Sequence, residues 1–473
     1  MKIHLSIGSK RNTLRQTQSA AMHLTKDPIP GLVKRLAIPA SVGFFFNTMY
    51  NVVDTYFAGL LSTDALAALS LSFPVFFILI AVSSGISQGA TALMSNAAGA
   101  GNTALARKMA AQSVVFSLCM GCLLMLTGYA VCPFLFRLLG AEDNYLSITL
   151  NYMNGILAGT LFFIGQSIMN AILNAQGDTS TFRNVLVAGF FLNLLLDPWF
   201  MHGGLGVPAM GIRGIAFATV LIQLLGCFYL AWKVMHSRLS FPMNKKAWKP
   251  RMEAWRQLAQ QGFPASINMM TVAAGIFVIT WFISLFSKEG VAAYGIATRI
   301  EQIILLPTIG LNIAVLTLTG QNNGAGRMDR VFEIRRVAMQ MGLFIMAPGG
   351  FILYLMANPM MKLFTDDSQV ILIGTEYLKI ASITLCSYVI LFQTVFMLQG
   401  LKRPMFALWI GLYRQIFAPC AVFYILALVL DWQLKGIWWG IFGVTWSAAL
   451  FTLFYGNHIL SKIASKRTPH WGT

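Results

Sequence analysis

Residues 71–86 read LSFPVFFILIAVSSGI, and this stretch decides the fold. It is a continuous apolar run, without the two-residue alternation of a strand that is apolar on one face only. A transmembrane β-barrel is built from alternating strands of about ten residues, so the run is read as helix. A helix rises about 1.5 Å per residue and needs about 20 residues to cross a hydrocarbon core of about 30 Å. Outward from this stretch, apolar runs between charged breaks give twelve such spans. They cover residues 36–58, 66–94, 110–131, 146–174, 184–202, 210–232, 258–286, 291–320, 337–357, 371–398, 404–429 and 436–460. The 473 residues are 57% hydrophobic and only 11% charged, with a mean hydropathy of +0.67. Soluble proteins carry about 25% charged residues, and this chain lacks the polar surface to cover a water-facing fold of its length. A soluble enzyme, a nucleic-acid binder and a secreted scaffold are excluded. The expected fold is an all-α polytopic membrane protein.

The net charge of +18 comes from 34 Lys and Arg against 16 Asp and Glu. On the twelve-span map, 26 of the cations fall on one side, in the tails, the central connector and loops such as Arg327–Arg336. Five fall on the other (Arg137, Arg213, Lys288, Lys362 and Lys435), and Arg299, Lys379 and Arg414 lie within spans. Cationic loops stay in the cytoplasm, so both termini are expected there, and no anionic partner is needed to explain the charge. The first apolar run begins near Leu36, behind a Ser/Thr/Lys/Arg-rich tail that is expected to be disordered and is not a cleavable signal peptide. No G-x-x-x-x-G-K-[ST] loop occurs, so uphill transport would draw on an ion gradient. The six cysteines, Cys119-x-x-Cys122 among them, lie in or at the ends of spans and read as buried packing residues. No cofactor or metal cluster is expected.

The chain repeats itself. Leu36-Ala-Ile-Pro39-Ala-Ser opens span 1 and Gln261-Gly-Phe-Pro264-Ala-Ser opens span 7, 225 residues later. Gly101 and Gly326 close similar Asn/Gly/Ala loops, again 225 apart, and Gly211 and Gly436 open spans 6 and 12 at the same offset. Ala-Gln-Gly177 and Leu-Gln-Gly400 end spans 4 and 10 at an offset of 223. Six spans per repeat is even, so both halves run the same way and are related by an axis along the membrane normal. The expected organisation is a tail at residues 1–34 and an N-lobe at 35–235. A basic connector at 236–256 leads to a C-lobe at 257–461 and a tail at 462–473. The two six-helix bundles face one another across a central cavity.

A carboxylate within the bilayer costs roughly 2.5–3.5 kcal/mol on insertion scales, so each needs a reason. Of the sixteen acids only Asp54, Asp197 and Glu301 fall deep within spans. Asp54 ends a polar stripe of Asn47, Tyr50, Asn51 and Asp54 in span 1, and Asn193 and Asp197 lie one turn apart in span 5. Span 4 contributes Gln166, Asn170 and Asn174, while span 2 contributes Ser84, Gln88 and Thr91, and span 6 Thr219 and Gln223. Two carboxyl groups sharing a low-dielectric site cannot both ionise cheaply, so the pair can take up a proton or a small cation. The plainer alternative is that they only hydrogen-bond their neighbours and set helix register. Pro39 and Pro264 fall near span starts, where proline is tolerated, whereas Pro74 and Pro307 would kink their helices and Pro198 would loosen the backbone beside Asp197. Arg299, Glu301 and Arg414 read as a structural polar network in the C-lobe, and Lys379 as a snorkelling side chain. The Met and Phe content would suit a cavity for varied amphipathic cations.

These residues resemble a family. The 6+6 repeat, Leu36-Ala-Ile-Pro39, the stretch Tyr50-Asn-Val-Val-Asp54-Thr-Tyr-Phe-Ala-Gly59 and Asn170-Ala-Ile-Leu-Asn-Ala-Gln-Gly-Asp178 are similar to the multidrug and toxic compound extrusion (MATE) transporters. Tyr50-Asn-x-x-Asp54 with Asn193-x-x-x-Asp197 resembles the DinF-like branch. That resemblance implies a coupling site in the N-lobe at Asp54 and Asp197, with Tyr50, Asn170, Asn193 and Thr219 around them. The NorM-like branch uses C-lobe acids in spans 7 and 10, and the corresponding stretches 267–281 and 383–398 contain none. The resemblance implies an ion-coupled antiporter; the paired acids suit a proton, the favoured ion, while their oxygen ligands would also suit sodium at Asp54 and Asp197. The antiporter would export organic, mostly cationic amphipathic compounds as a monomer in the lipid of a bacterial inner membrane. The alternative is a lipid-linked precursor flippase of the same superfamily; such proteins often have fourteen spans and a basic cavity. A membrane-embedded enzyme would want a His-containing cluster at one depth, and the six His lie at termini, loops or span ends.

Overall fold

The computed structural model describes residues 23–467, apart from 205 and 243. Residues 1–22, most of the tail read as disordered, and residues 468–473 lie outside the described residues. Eleven described helices are long and apolar enough to cross a membrane, and a pair bent by 43° supplies a twelfth span. The helices are α1 Ile29–Leu61, α2 Thr63–Gly99, α3 Thr103–Leu138 and the bent α4, made of Asp143–Ala158 and Thr160–Ala175. They continue with α5 Ser180–His202, α6 Ile212–Met235, α7 Met252–Ser284, α8 Lys288–Gly324 and α9 Met328–Lys362. The last three are α10 Ser368–Gly400, α11 Met405–Val429 and α12 Gln433–Arg467. Each corresponds to the span of the same number, so the all-α, twelve-span expectation holds.

The helices overrun the apolar runs because caps and polar turns extend them. Ser62 accepts from the Ala65 N–H at 3.0 Å and Ser287, its counterpart 225 residues on, from Gly290 N–H at 2.9 Å. Such N-caps contribute about 0.5–2 kcal/mol each. The same overrun corrects the reading of Pro39 and Pro264: with helix starts at Ile29 and Met252, both prolines stand well inside their helices. Pro74, Pro198 and Pro307 are also interior to continuous helices. Two π-helical stretches, Tyr413–Phe417 and Tyr424–Val429, interrupt α11. Pro419 accounts for the first, since it has no N–H for the Gln415 carbonyl and the ladder widens before it.

The packing follows the repeat. In the first half α1 lies against α5, and α2 and α6 both lie against α4; in the second, α7 lies against α11, and α8 and α12 against α10. Across the halves α2 packs on α7 and α8 on α1, with α2 and α8 meeting on the axis. This seam is tight only at the end that carries the described termini. There a Cβ on Gly99 would collide with the Gln321 carbonyl and one on Gly324 with the Asn96 carbonyl, the same contact shifted by 225 residues. The Asn96 side-chain amide donates to the Gly400 carbonyl at 2.8 Å, and the Gln321 amide to the Ala175 carbonyl at 2.8 Å. Ser41 Oγ donates to the Pro307 carbonyl (3.3 Å) and Ser266 Oγ to the Val82 carbonyl (3.4 Å), again as counterparts. Toward the opposite end the same helices bare a face: Phe73 and Ile78 of α2 and Ile303 of α8 are exposed, while residues 79–97 and 310–322 are almost wholly buried. The halves are closed at the end of the described termini and open at the other.

The cysteines depart from expectation. Only Cys132 is buried; Cys119, Cys122 and Cys420 are exposed, and all six are free thiols. A thiol is weakly polar and sits as readily on an apolar membrane-facing surface as in a core.

Candidate functional site

Asp54 lies seven residues before the end of α1 and Asp197 five before the end of α5, so both stand about 8–10 Å from the ends at which the molecule is open. α1 packs on α5, and this juxtaposition brings the two acids together. The Asn193 side-chain amide donates to Asp54 Oδ1 at 2.8 Å. Asp197, Thr219 and Tyr50 are neighbours of Asp54 in the same cluster. Asp197 and Asn193 are 0% exposed and Asp54 is 7% exposed. These are interior groups. Several of their polar atoms have no donor or acceptor among the described residues: both Asp197 carboxylate oxygens, Asn193 Oδ1, Tyr50 OH and Thr219 Oγ1. A buried polar group without a partner costs about 1–3 kcal/mol, more if it is charged. A cluster of this kind is therefore expensive unless it holds something positive. The donors are all oxygen, the chemistry of a proton or a hard cation.

The expected stripe on α1 divides. Tyr50 and Asp54 turn inward, whereas Asn51 is exposed and returns its amide to the Asn47 carbonyl at 3.0 Å. Successive helical residues diverge by about 100°, so Asn51 leaves the face that Tyr50 occupies. Asn170 stands apart as well. Gly159 of the α4 bend faces Val220, which sets Thr160 level with Thr219, and Asn170 lies about 15 Å further along the helix. It forms a second layer with Gln166 and Asn174, and its buried Oδ1 is also unpartnered. Thr160 and Gln223 carry further unpartnered oxygens in the same lobe; no periodicity signalled Thr160, which the bend in α4 delivers.

In the second half Glu301 is 6% exposed and accepts from the Tyr377 hydroxyl at 2.9 Å. Of the expected three-residue network, Arg299 turns away while Arg414 remains close enough for its charge to act on Glu301. Arg414 places its guanidinium over the Tyr388 and Phe392 rings at 5.5 and 5.8 Å, and Arg299 is exposed. Neither arginine lies within ion-pair distance of Glu301 among the described residues. Tyr377 and Tyr388 were not legible as partners because they sit on α10, brought in only by packing. Lys379 sets its ammonium over the Tyr354 ring at 5.6 Å. Glu301→Gln keeps a carbonyl acceptor for Tyr377, so we expect transport to stay within about threefold of wild type and the melting temperature not to fall. Efflux and thermal-melt measurements on the same preparation check this.

The MatE family model matches the chain twice, over residues 39–199 and 264–415, with starts separated by the offset of the repeat. The chain belongs to the MatE family. A relative from Thermotoga maritima, named a probable multidrug resistance protein NorM, is 30% identical over 365 residues, 76% of this chain and 78% of the relative. A protein of Shewanella oneidensis named an FAD transporter is 27% identical over 405 residues, 83% of this chain and 87% of that one. Among solved structures, an outward-facing conformation of a multidrug resistance MATE family transporter matches with a TM-score of 0.88 at 24% identity, covering 94% of this chain and 99% of that one. Members of the MatE family are transporters and not enzymes, and this MatE protein is a multi-pass membrane transporter.

Proposed function

We propose that this MatE protein is an ion-coupled antiporter that exports organic, mostly cationic and amphipathic compounds by alternating access. One observation carries the reading: Asp54, bonded to Asn193 with Asp197 beside it, sits among buried oxygens that lack partners. Two carboxyl groups in one low-dielectric site favour holding one positive charge between them. A proton meets that demand with the least rearrangement; sodium would be held by the Asp54 and Asp197 carboxylates, with Asn193, Thr219 and Tyr50 offering further oxygens. Placement of the acid pair in the first half, with no acid in the stretches 267–281 of span 7 and 383–398 of span 10, supports the DinF-like branch.

The cationic side of the chain is taken as cytoplasmic. The closed half then faces the cytoplasm and the open half faces outward. Substrate enters from the cytoplasm or the inner leaflet when the halves tilt the other way. Binding of the ion at Asp54 from outside rearranges α1 and expels the substrate, and the ion then leaves inward. Residues 35–235 and 257–461 act as the two rocking lobes, 236–256 links them, and Pro39, Pro74 and Pro198 serve as bending points. The protein works as a monomer in the lipid of a bacterial inner membrane. A lipid-linked precursor would call for cations to meet its pyrophosphate, and the acid pair offers the opposite charge.

Proteoliposomes loaded with a fluorescent organic cation test this. An imposed pH gradient should drive its movement, and a sodium gradient at equal pH should not. Movement under sodium alone would replace the proton by sodium, and movement under neither gradient would overturn the antiporter reading.

A further inference from the structure

The repeat creates two equivalent clefts between the lobes on the terminus-bearing half, and only one is filled. In the α2–α3–α7 cleft Phe116 packs edge-on against Trp255, with ring centroids 5.6 Å apart, and lies 6.5 Å from Phe263. Subtracting or adding the 225-residue offset turns these rings into Met341, Pro30 and Ile38. There, between α1, α8 and α9, a groove of about 710 Å³ remains, lined by Lys34, Ile38, Ser41, Pro307, Met341 and Phe344 among others. That volume lies within the range of about 300–1,000 Å³ typical of small-molecule sites. Ile38 and Phe344, 60% and 82% exposed, form its rim, so the groove opens sideways to the surrounding bilayer.

We propose that this groove holds one anionic phospholipid, with an acyl chain between the lobes and its phosphate on Lys34. The dimensions fit. Lys34 to Val42 spans about 12 Å of helix, most of the depth of one leaflet's hydrocarbon. Lys34 lies just before the first apolar run, at headgroup level, and Arg336 stands one turn from the groove residue Gln340 toward the same end of α9. Glu333 and Asp329, one and two turns further out, are the acids on that face, and Asp329 is paired with Arg327 at 2.9 Å. The equivalents of Lys34 and Arg336 in the filled cleft are Ala259 and Ala111, so the cations belong to the open groove alone. A cationic substrate would meet Lys34 unfavourably. The lipid would lie beside the Ser41–Pro307 link that joins the lobes, where it wedges one lobe against the other. Nothing here depends on the coupling ion or on the exported compound.

Native mass spectrometry of the full-length protein, released from detergent with added phosphatidylglycerol or phosphatidylcholine, tests the proposal. Wild type should retain one phosphatidylglycerol in preference to phosphatidylcholine. Lys34→Gln, at an exposed position, should reduce that preference about fivefold, the effect of roughly one cation at a membrane surface. The pair Ile38→Phe and Met341→Phe, which transplants the two phenylalanine rings of the filled cleft, should abolish retention. Equal retention of both lipids by wild type, an unchanged preference in Lys34→Gln, or displacement of the lipid by tetraphenylphosphonium would overturn it.

Discussion

Asp54→Asn should reduce substrate export on the order of a hundredfold, the upper part of the range for a coupling free energy of about 1–3 kcal/mol. The substitution changes one atom and keeps an acceptor for the Asn193 amide, which donates to Asp54 Oδ1 at 2.8 Å. Fold and insertion should therefore survive, and membrane abundance and melting temperature are the controls. What the amide cannot do is exchange a proton with Asp197 or neutralise a cation. A second readout separates coupling from architecture: substrate binding that varies with pH in wild type should become flat in the variant. Efflux near the wild-type rate, or a pH response left intact, would show that Asp54 is a helix-registering group and that coupling lies elsewhere. The contrast with Glu301→Gln sharpens the test, because both variants neutralise a buried acid and only one is expected to stop transport.

Gly324→Ala should prevent the seam between the halves from closing. A Cβ at this position would meet the Asn96 carbonyl, a backbone atom that cannot rotate away. Overpacking of this kind costs about 1–3 kcal/mol, which lowers the closed-to-open ratio at the terminus-bearing end by about 5- to 150-fold. Gly99→Ala should act alike, since Gly99 meets the Gln321 carbonyl in the mirrored contact. The two changes should combine to less than their sum, because one seam, once parted, relieves both. Ser95, fully buried and facing Gly320, reports the opening. In a background with the six native cysteines replaced, Ser95→Cys should resist maleimide in the parent and react once Gly324→Ala is added. A cysteine at 95 that stays shielded in both would show that the glycine is not what lets the halves meet.

The fold was largely legible because lipid imposes a simple rule. Every backbone group must be satisfied inside its own segment, so long uncharged runs become helices, and twelve runs gave twelve spans. The 225-residue offset went further than topology: it recurs in the reciprocal Asn96–Gly400 and Gln321–Ala175 bonds. The acids Asp54 and Asp197 stood out because charge is rare within the bilayer. Their relative position did not, nor did the departure of Asn51 and Asn170 from the cluster, since those depend on which face of one helix meets another. Arg299 parts from Glu301 for the same reason, while Arg414 stays close enough for its charge to act on Glu301.

The amino-acid order alone determined the number of spans, the twofold relation of the halves and the residues whose burial would be costly, all consequences of local hydropathy and of spacing along the chain. Only the tertiary structure decided that Asn193 reaches Asp54, that Glu301 is met by Tyr377, that the halves touch at one end, and that one cleft is plugged while its counterpart stays open. Each of these depends on side chains more than seventy residues apart arriving at the same depth, and helix packing, not sequence spacing, sets that depth.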